Sequence, residues 1–116
     1  MDKNYYPIEF STESSFSITN NGTAPAPCSI TIVPKFDFLV LTIEGLTREP
    51  IKVKNVKANQ AVVIDGENRT VTIDDKEAFD KYDAWEFPKL QPGVNNIKIV
   101  NGSSCEVAIE YTRRYV

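Results

Sequence analysis

The sequence predicts an all-β fold, a two-sheet antiparallel β-sandwich. Three observations carry this. Short segments of apolar and polar residues alternate with a period of two along most of the chain. Turn-forming pairs (Asn21-Gly22, Asp65-Gly66, Pro92-Gly93, Asn101-Gly102) separate them. No segment carries a 3.6-residue apolar stripe long enough for a substantial helix. Each half-apolar strand must bury one side, and two sheets facing each other at about 10 Å do that. A closed barrel is the competing solution.

The elements follow in order. Residues 1–15 are polar and aromatic, with Pro7 early, and read as an arm or short edge strand. Phe16-Ser17-Ile18-Thr19 alternates, and Asn20-Asn21-Gly22 turns the chain. Two prolines between Thr23 and Pro27 suit a stiff extended crossing, because proline lacks the ladder donor. Cys28, Ile30 and Ile32 then share one strand face. In the long apolar run Phe36–Glu44, Leu39, Leu41 and Ile43 share one face and Phe36, Phe38 and Val40 the other. This strand is expected to be central, or to have one face covered by the N-terminal arm. Ile51 and Val53 alternate with lysines. Residues 61–64 and 69–73 form the clearest local hairpin. The stretch 74–84 is polar, with room for one helical turn near Lys76–Lys81. Trp85-Glu86-Phe87 reads as a short strand before the Pro92-Gly93 turn, which Asn95 can brace by bonding to nearby backbone. Asn95–Val100 is a strand with Ile97 and Ile99 inward. In the last strand Cys105, Val107, Ile109 and Tyr111 share a face. About nine strands are expected.

Composition narrows the chemistry. The chain has 116 residues, 41% hydrophobic and 25% charged, which suits one globular domain. A formal net charge of −3 lacks the basic excess of a general nucleic-acid binder, so no nucleic-acid partner is expected. No apolar run is long enough for a membrane span, and the N-terminus lacks an apolar signal region. Histidine is absent, which removes His-based triads and His-ligated metals. Two cysteines, Cys28 and Cys105, cannot build a four-thiolate zinc site. Both lie in strand-like alternation and read as buried free thiols, with a disulfide as the alternative.

The remaining candidates are acids and aromatics. Asp74, Asp75, Glu77, Asp80 and Asp83 occupy the polar stretch, and a pair of them could serve acid–base or calcium chemistry. The twelve-residue calcium loop pattern is missing, and a charge-rich loop is ordinarily solvated surface. No catalytic residue, metal ligand or cofactor is therefore assigned. Trp85, with Asp83 beside it, and Tyr5 and Tyr6 in the arm are the candidate contacts for a partner protein or a sugar. The competing reading has Trp85 and Phe87 filling the core. Tyr5, Tyr6 and Tyr115 either pack the arm onto the domain or dock a neighbouring subunit.

The order of the turns adds a family resemblance. Ile18-Thr19-Asn20-Asn21-Gly22-Thr23-Ala24-Pro25-Ala26-Pro27, Val62-Val63-Ile64-Asp65-Gly66 and Val71-Thr72-Ile73-Asp74 come first. Phe87-Pro88-Lys89-Leu90-Gln91-Pro92-Gly93-Val94-Asn95-Asn96-Ile97-Lys98-Ile99 is the strongest piece, and Val107–Arg114 closes the series. Together they resemble the C-terminal domain of the distal tail proteins of long-tailed bacteriophages (the siphovirus tail component, or Dit, family). The resemblance implies a galectin-like sandwich over residues 16–116, preceded by an arm or interdomain linker over 1–15. It implies a non-catalytic structural and adaptor module in the virion. Such a module projects from the hexameric hub at the tail tip, with baseplate or receptor-binding proteins as partners. The alternative it implies is a carbohydrate-binding module for host cell-surface polysaccharide. The ring-forming half of the family is not in this sequence, so the chain is expected to be a monomer or weak dimer.

Overall fold

The computed structural model describes residues 3–11, 15–100 and 105–112. Twelve strands appear among them: β1 (Lys3–Ser11), β2 (Ser15–Asn20), β3 (Ala26–Pro34), β4 (Phe38–Glu44), β5 (Ile51–Val56), β6 (Val62–Asp65), β7 (Thr70–Ile73), β8 (Lys76–Glu77), β9 (Tyr82–Asp83), β10 (Lys89–Leu90), β11 (Gly93–Val100) and β12 (Cys105–Thr112). About nine were expected; the one over Trp85–Phe87 does not form, and the additions are β1, read as an arm or edge strand, and the two-residue pairings β8, β9 and β10, which leave no periodic trace in a sequence. One 3-10 turn, Phe79–Lys81, falls where a helical turn was expected.

All pairings are antiparallel. A seven-stranded sheet runs β1-β12-β3-β6-β7-β8, with β10 also paired to β3. A five-stranded sheet runs β2-β11-β4-β5-β9. Their inner faces close over one apolar core, which includes Ile30, Ile32, Ile64 and Ile109 from the first sheet and Leu41, Ile43, Val53, Ile97 and Ile99 from the second. This is the sandwich, not the barrel. The Tyr111 hydroxyl donates to the Thr19 carbonyl at 3.0 Å and ties the two sheets together.

Period two works best in β3 and β12. Cys28, Ile30 and Ile32 are buried, as are Cys105, Val107, Ile109 and Tyr111. The β6–β7 hairpin forms as predicted, pairing Val62 with Ile73 and Asp65 with Thr70. Asp65 closes its turn by accepting the Glu67 and Asn68 amides at 3.0 and 3.1 Å. Two buried asparagines brace turns at the other sheet. Asn20 Oδ1 accepts the Gly22 amide at 2.9 Å, and its Nδ2 donates to the Leu90 carbonyl at 3.1 Å. Asn95 Oδ1 accepts the Gln91 amide at 2.9 Å, and its Nδ2 donates to the Gln91 and Gly93 carbonyls. Gly93 sits at φ 91°, the left-handed position that a Pro-Gly type II turn requires. Gly45 ends β4 at φ 101°, and a Cβ there would lie 2.0 Å from the Asn96 carbonyl oxygen.

Three expectations fail. The segment Thr23–Pro27 is not wholly a crossing, since β3 begins at Ala26. Pro27 is tolerated because it opposes Lys89 in a pair that makes no direct hydrogen bonds; the bond comes one residue later, from the Cys28 amide to the Pro88 carbonyl at 3.1 Å. The N-terminal segment does not cover β4. Its backbone forms β1 and pairs with β12 at the edge of the other sheet. Finally, Leu39 faces water at 83% exposure, with Val40 and Phe36 also exposed. β4 is central only over Thr42–Glu44, where β11 flanks it. Before that, alternation slips in both β4 and β5. Phe38 packs on the core opposite buried Val56, while Leu39, Val40, Lys54 and Asn55 all point outward. Asn55 holds φ 53°, a left-handed conformation that asparagine tolerates and that resets the pleat.

The cysteines are free thiols. Cys28 opposes Tyr111 and Cys105 opposes Pro34, at opposite ends of one ladder. Six residues of strand separate these positions by about 20 Å, far beyond disulfide reach. Burial, and then the Asp65 carboxylate, push the Cys28 thiol up to about 12. Asn101-Gly102, Arg113-Arg114 and Tyr115 lie outside the described residues.

Candidate functional site

The chain must cross from β9 in one sheet to β10 in the other, and residues 84–88 make that crossing as a loop. The short strand expected at Trp85–Phe87 is absent, so period two does not govern these side chains. Phe87 turns inward and stacks on Tyr82, with ring centroids 4.8 Å apart. Phe79 packs against both rings. The Tyr82 hydroxyl donates to the Glu86 carbonyl at 2.6 Å. Burial, then the charge of Glu86, hold this phenol above its ordinary range, so it remains a donor. The loop is anchored at both ends of this contact, and Trp85 between them stands 90% exposed. The core-filling reading of Trp85 is therefore wrong, although Phe87 does pack on the core.

Three grooves meet along this loop. One, of about 320 Å³, is bordered by Pro27, Gly66, Arg69, Phe87, Pro88 and Trp85. A second, of about 150 Å³, lies on the other side of Trp85 against Pro50, Lys52 and Asp83. The third, of about 400 Å³, runs past Gly45, Arg48, Glu86 and Lys89. Trp85 borders the first two and Glu86 the first and third; Glu86 accepts the Arg48 amide at 3.4 Å and pairs with Lys89 at 3.8 Å. The β6–β7 turn packs tightly beneath the loop. Gly66 donates to the Cys28 carbonyl at 2.9 Å, and a Cβ on it would meet the Pro88 carbonyl oxygen at 2.1 Å.

The structure thus brings Trp85 and Asp83 to one rim. Tyr5 and Tyr6 lie elsewhere, in β1 at register positions opposite Glu110 and Ile109. β12 and β3 stand between that strand and β10. The acids Asp74, Asp75, Glu77, Asp80 and Asp83 are all exposed. Asp74 and Glu77 serve locally, accepting the Ala61 and Phe79 amides. No cluster of three or more metal-ligating side chains occurs among the described residues. Sequence reasoning missed Arg48, Arg69 and Glu86 as members of the rim. Arg69 carried one usable signal, its place in the turn of the best-predicted hairpin.

A two-sheet antiparallel sandwich of galectin-like layout, with an exposed aromatic on an anchored loop, defines a binding or structural module. Residues 21–115 match the sequence model of the siphovirus-type tail component, C-terminal domain, and the chain belongs to that family. It is accordingly a domain of a siphovirus-type tail component. The fold resembles the Dit (gp 19.1) protein of phage SPP1, described as a paradigm of the hub adsorption apparatus in phages infecting Gram-positive bacteria. That match has a TM-score of 0.74 at 13% identity, covering 95% of this chain and 46% of that one. A chain of the phage P2 baseplate in its activated conformation with Ca matches with a TM-score of 0.54 at 16% identity. It covers 88% of this chain and 37% of that one. The chain thus spans less than half the length of either. No curated protein matches the sequence significantly.

Proposed function

We propose that this domain is an adaptor at the tail tip that docks a baseplate or receptor-binding component through the rim around Trp85. The observation that carries this is the 90% exposure of Trp85 on a loop anchored by Tyr82 and Phe87. A solvated tryptophan on a rigid support loses little entropy on binding and suits the anchor position of an interface. Residues 16–116 carry the adaptor role, and the Lys3–Ser11 strand, paired with β12, completes the edge of the larger sheet. This chain by itself is a monomer or weak dimer, and a hexameric hub is the expectation for a whole distal tail protein.

The test is co-assembly of the chain with the other tail proteins of its phage. Trp85→Ala is expected to lower binding at least tenfold without moving the thermal unfolding midpoint. Unchanged binding would remove the rim from the interface.

A second reading is recognition of host polysaccharide. The same exposed Trp85 beside Asp83 favours it, since an indole face can stack on a sugar ring next to a hydrogen-bonding carboxylate. Quenching of Trp85 fluorescence by host cell-wall polysaccharide, lost in Asp83→Ala, would support it.

A further inference from the structure

The two sides of Trp85 differ in what they offer a ligand. On the Pro27 side the lining is mixed, with apolar surface from Pro27, Phe87, Pro88 and the indole itself. The polar members of that groove are Arg69, Glu86 and Lys89, and the last two are already paired with each other. The Arg69 guanidinium makes no hydrogen bond or ion pair among the described residues. It is held at the groove by a turn residue in the left-handed conformation, φ 56°. A guanidinium in this state is a planar fork whose best complement is a carboxylate.

We propose that the Pro27–Trp85 groove receives an extended peptide segment of a partner protein, an apolar or proline side chain lying against Trp85 and an adjacent Asp or Glu carboxylate on Arg69. This rests on the docking reading of the rim and names the chemistry of the partner. Charge complementarity selects an acid, because the one uncompensated charge in the groove is positive. Pairing of Glu86 with Lys89 leaves Arg69 as the free side-chain polar group of the groove, so a hydroxyl-rich ring would find partners on one side only, whereas Pro27, Phe87, Pro88 and the indole give an apolar peptide side chain a surface to lie on. The rigidity of the site supports the same assignment. Gly66, Cys28 and Pro88 are locked by backbone hydrogen bonds beneath the groove, so little has to reorganise on binding.

The experiment uses the full 116-residue chain and fluorescein-labelled capped octapeptides that tile the other tail proteins of the same phage. Each acidic peptide is paired with a counterpart carrying Gln or Asn in place of its acids, and binding is read by anisotropy. Acidic peptides are expected to bind, and amidation is expected to weaken them about tenfold or more. Arg69→Asn, which keeps a residue tolerant of positive φ, should cause the same loss. Arg69→Glu should shift preference to basic peptides. Thermal melts check that both variants remain folded. Binding that Trp85→Ala abolishes but that ignores amidation and both Arg69 changes would overturn this inference and leave the docking reading standing. Failure of every peptide, combined with quenching of Trp85 by host polysaccharide, would overturn both in favour of the sugar reading.

Discussion

The β3–β12 ladder and the β4–β5 ladder have equally regular sequence patterns and different outcomes. In β12 every second residue from Cys105 to Tyr111 is buried. In β4 the same pattern places Leu39 with Leu41 and Ile43, yet only the latter two are inside. The first ladder is flanked on both sides, by β1 and β6, and its inward residues are buried from end to end. The second runs past the end of β11 and carries a left-handed Asn55 that turns its pleat. Alternation states which residues share a face. Neighbouring strands decide whether that face has anything to bury against.

The largest expected effect falls on the first ladder. Ile109→Ala empties a fully buried site and should cost about 2–5 kcal/mol by urea unfolding. A loss below about 1 kcal/mol would mean the two ladders are not different in kind. The dryness of this ladder also sets a pH dependence. The native Cys28 thiol stays protonated to about 12 against an ordinary value of 9.0, so the unfolded chain releases its proton first as pH rises. Stability should therefore fall between about pH 9 and 12, and Cys28→Val should flatten that fall. A slope identical in wild type and variant would count against a buried thiol. The smallest effect belongs to the second ladder. Leu39→Ser should change stability by no more than about 0.5 kcal/mol, despite removing a leucine from a strand. A cost near that of Ile109→Ala would show that Leu39 is covered in solution.

The rim repeats the lesson at the level of function. Trp85, Glu86 and Phe87 are consecutive, and in a strand Trp85 and Phe87 would share a fate. Here Phe87 stacks on Tyr82 and Trp85 stands in solvent, because the chain is crossing between sheets and has no ladder to enforce alternation. Asp83 and Trp85 were visible as candidates because they adjoin in sequence. Arg69 belongs to a hairpin of the other sheet, and its contribution emerges only once the β6–β7 turn packs beneath the 84–88 loop.

From the residues alone came the all-β class, the β6–β7 hairpin, the inward faces of β3, β11 and β12, the Asn95 brace and the family kinship. These are local: periodicity, turn chemistry and short-range hydrogen bonds need only neighbours in sequence. Which strand ends lie open, which aromatic is solvated and which groove arginine has no partner among the described residues were settled by tertiary packing. Those properties depend on what the second sheet covers, and that is a matter of distance in space between segments far apart in the chain.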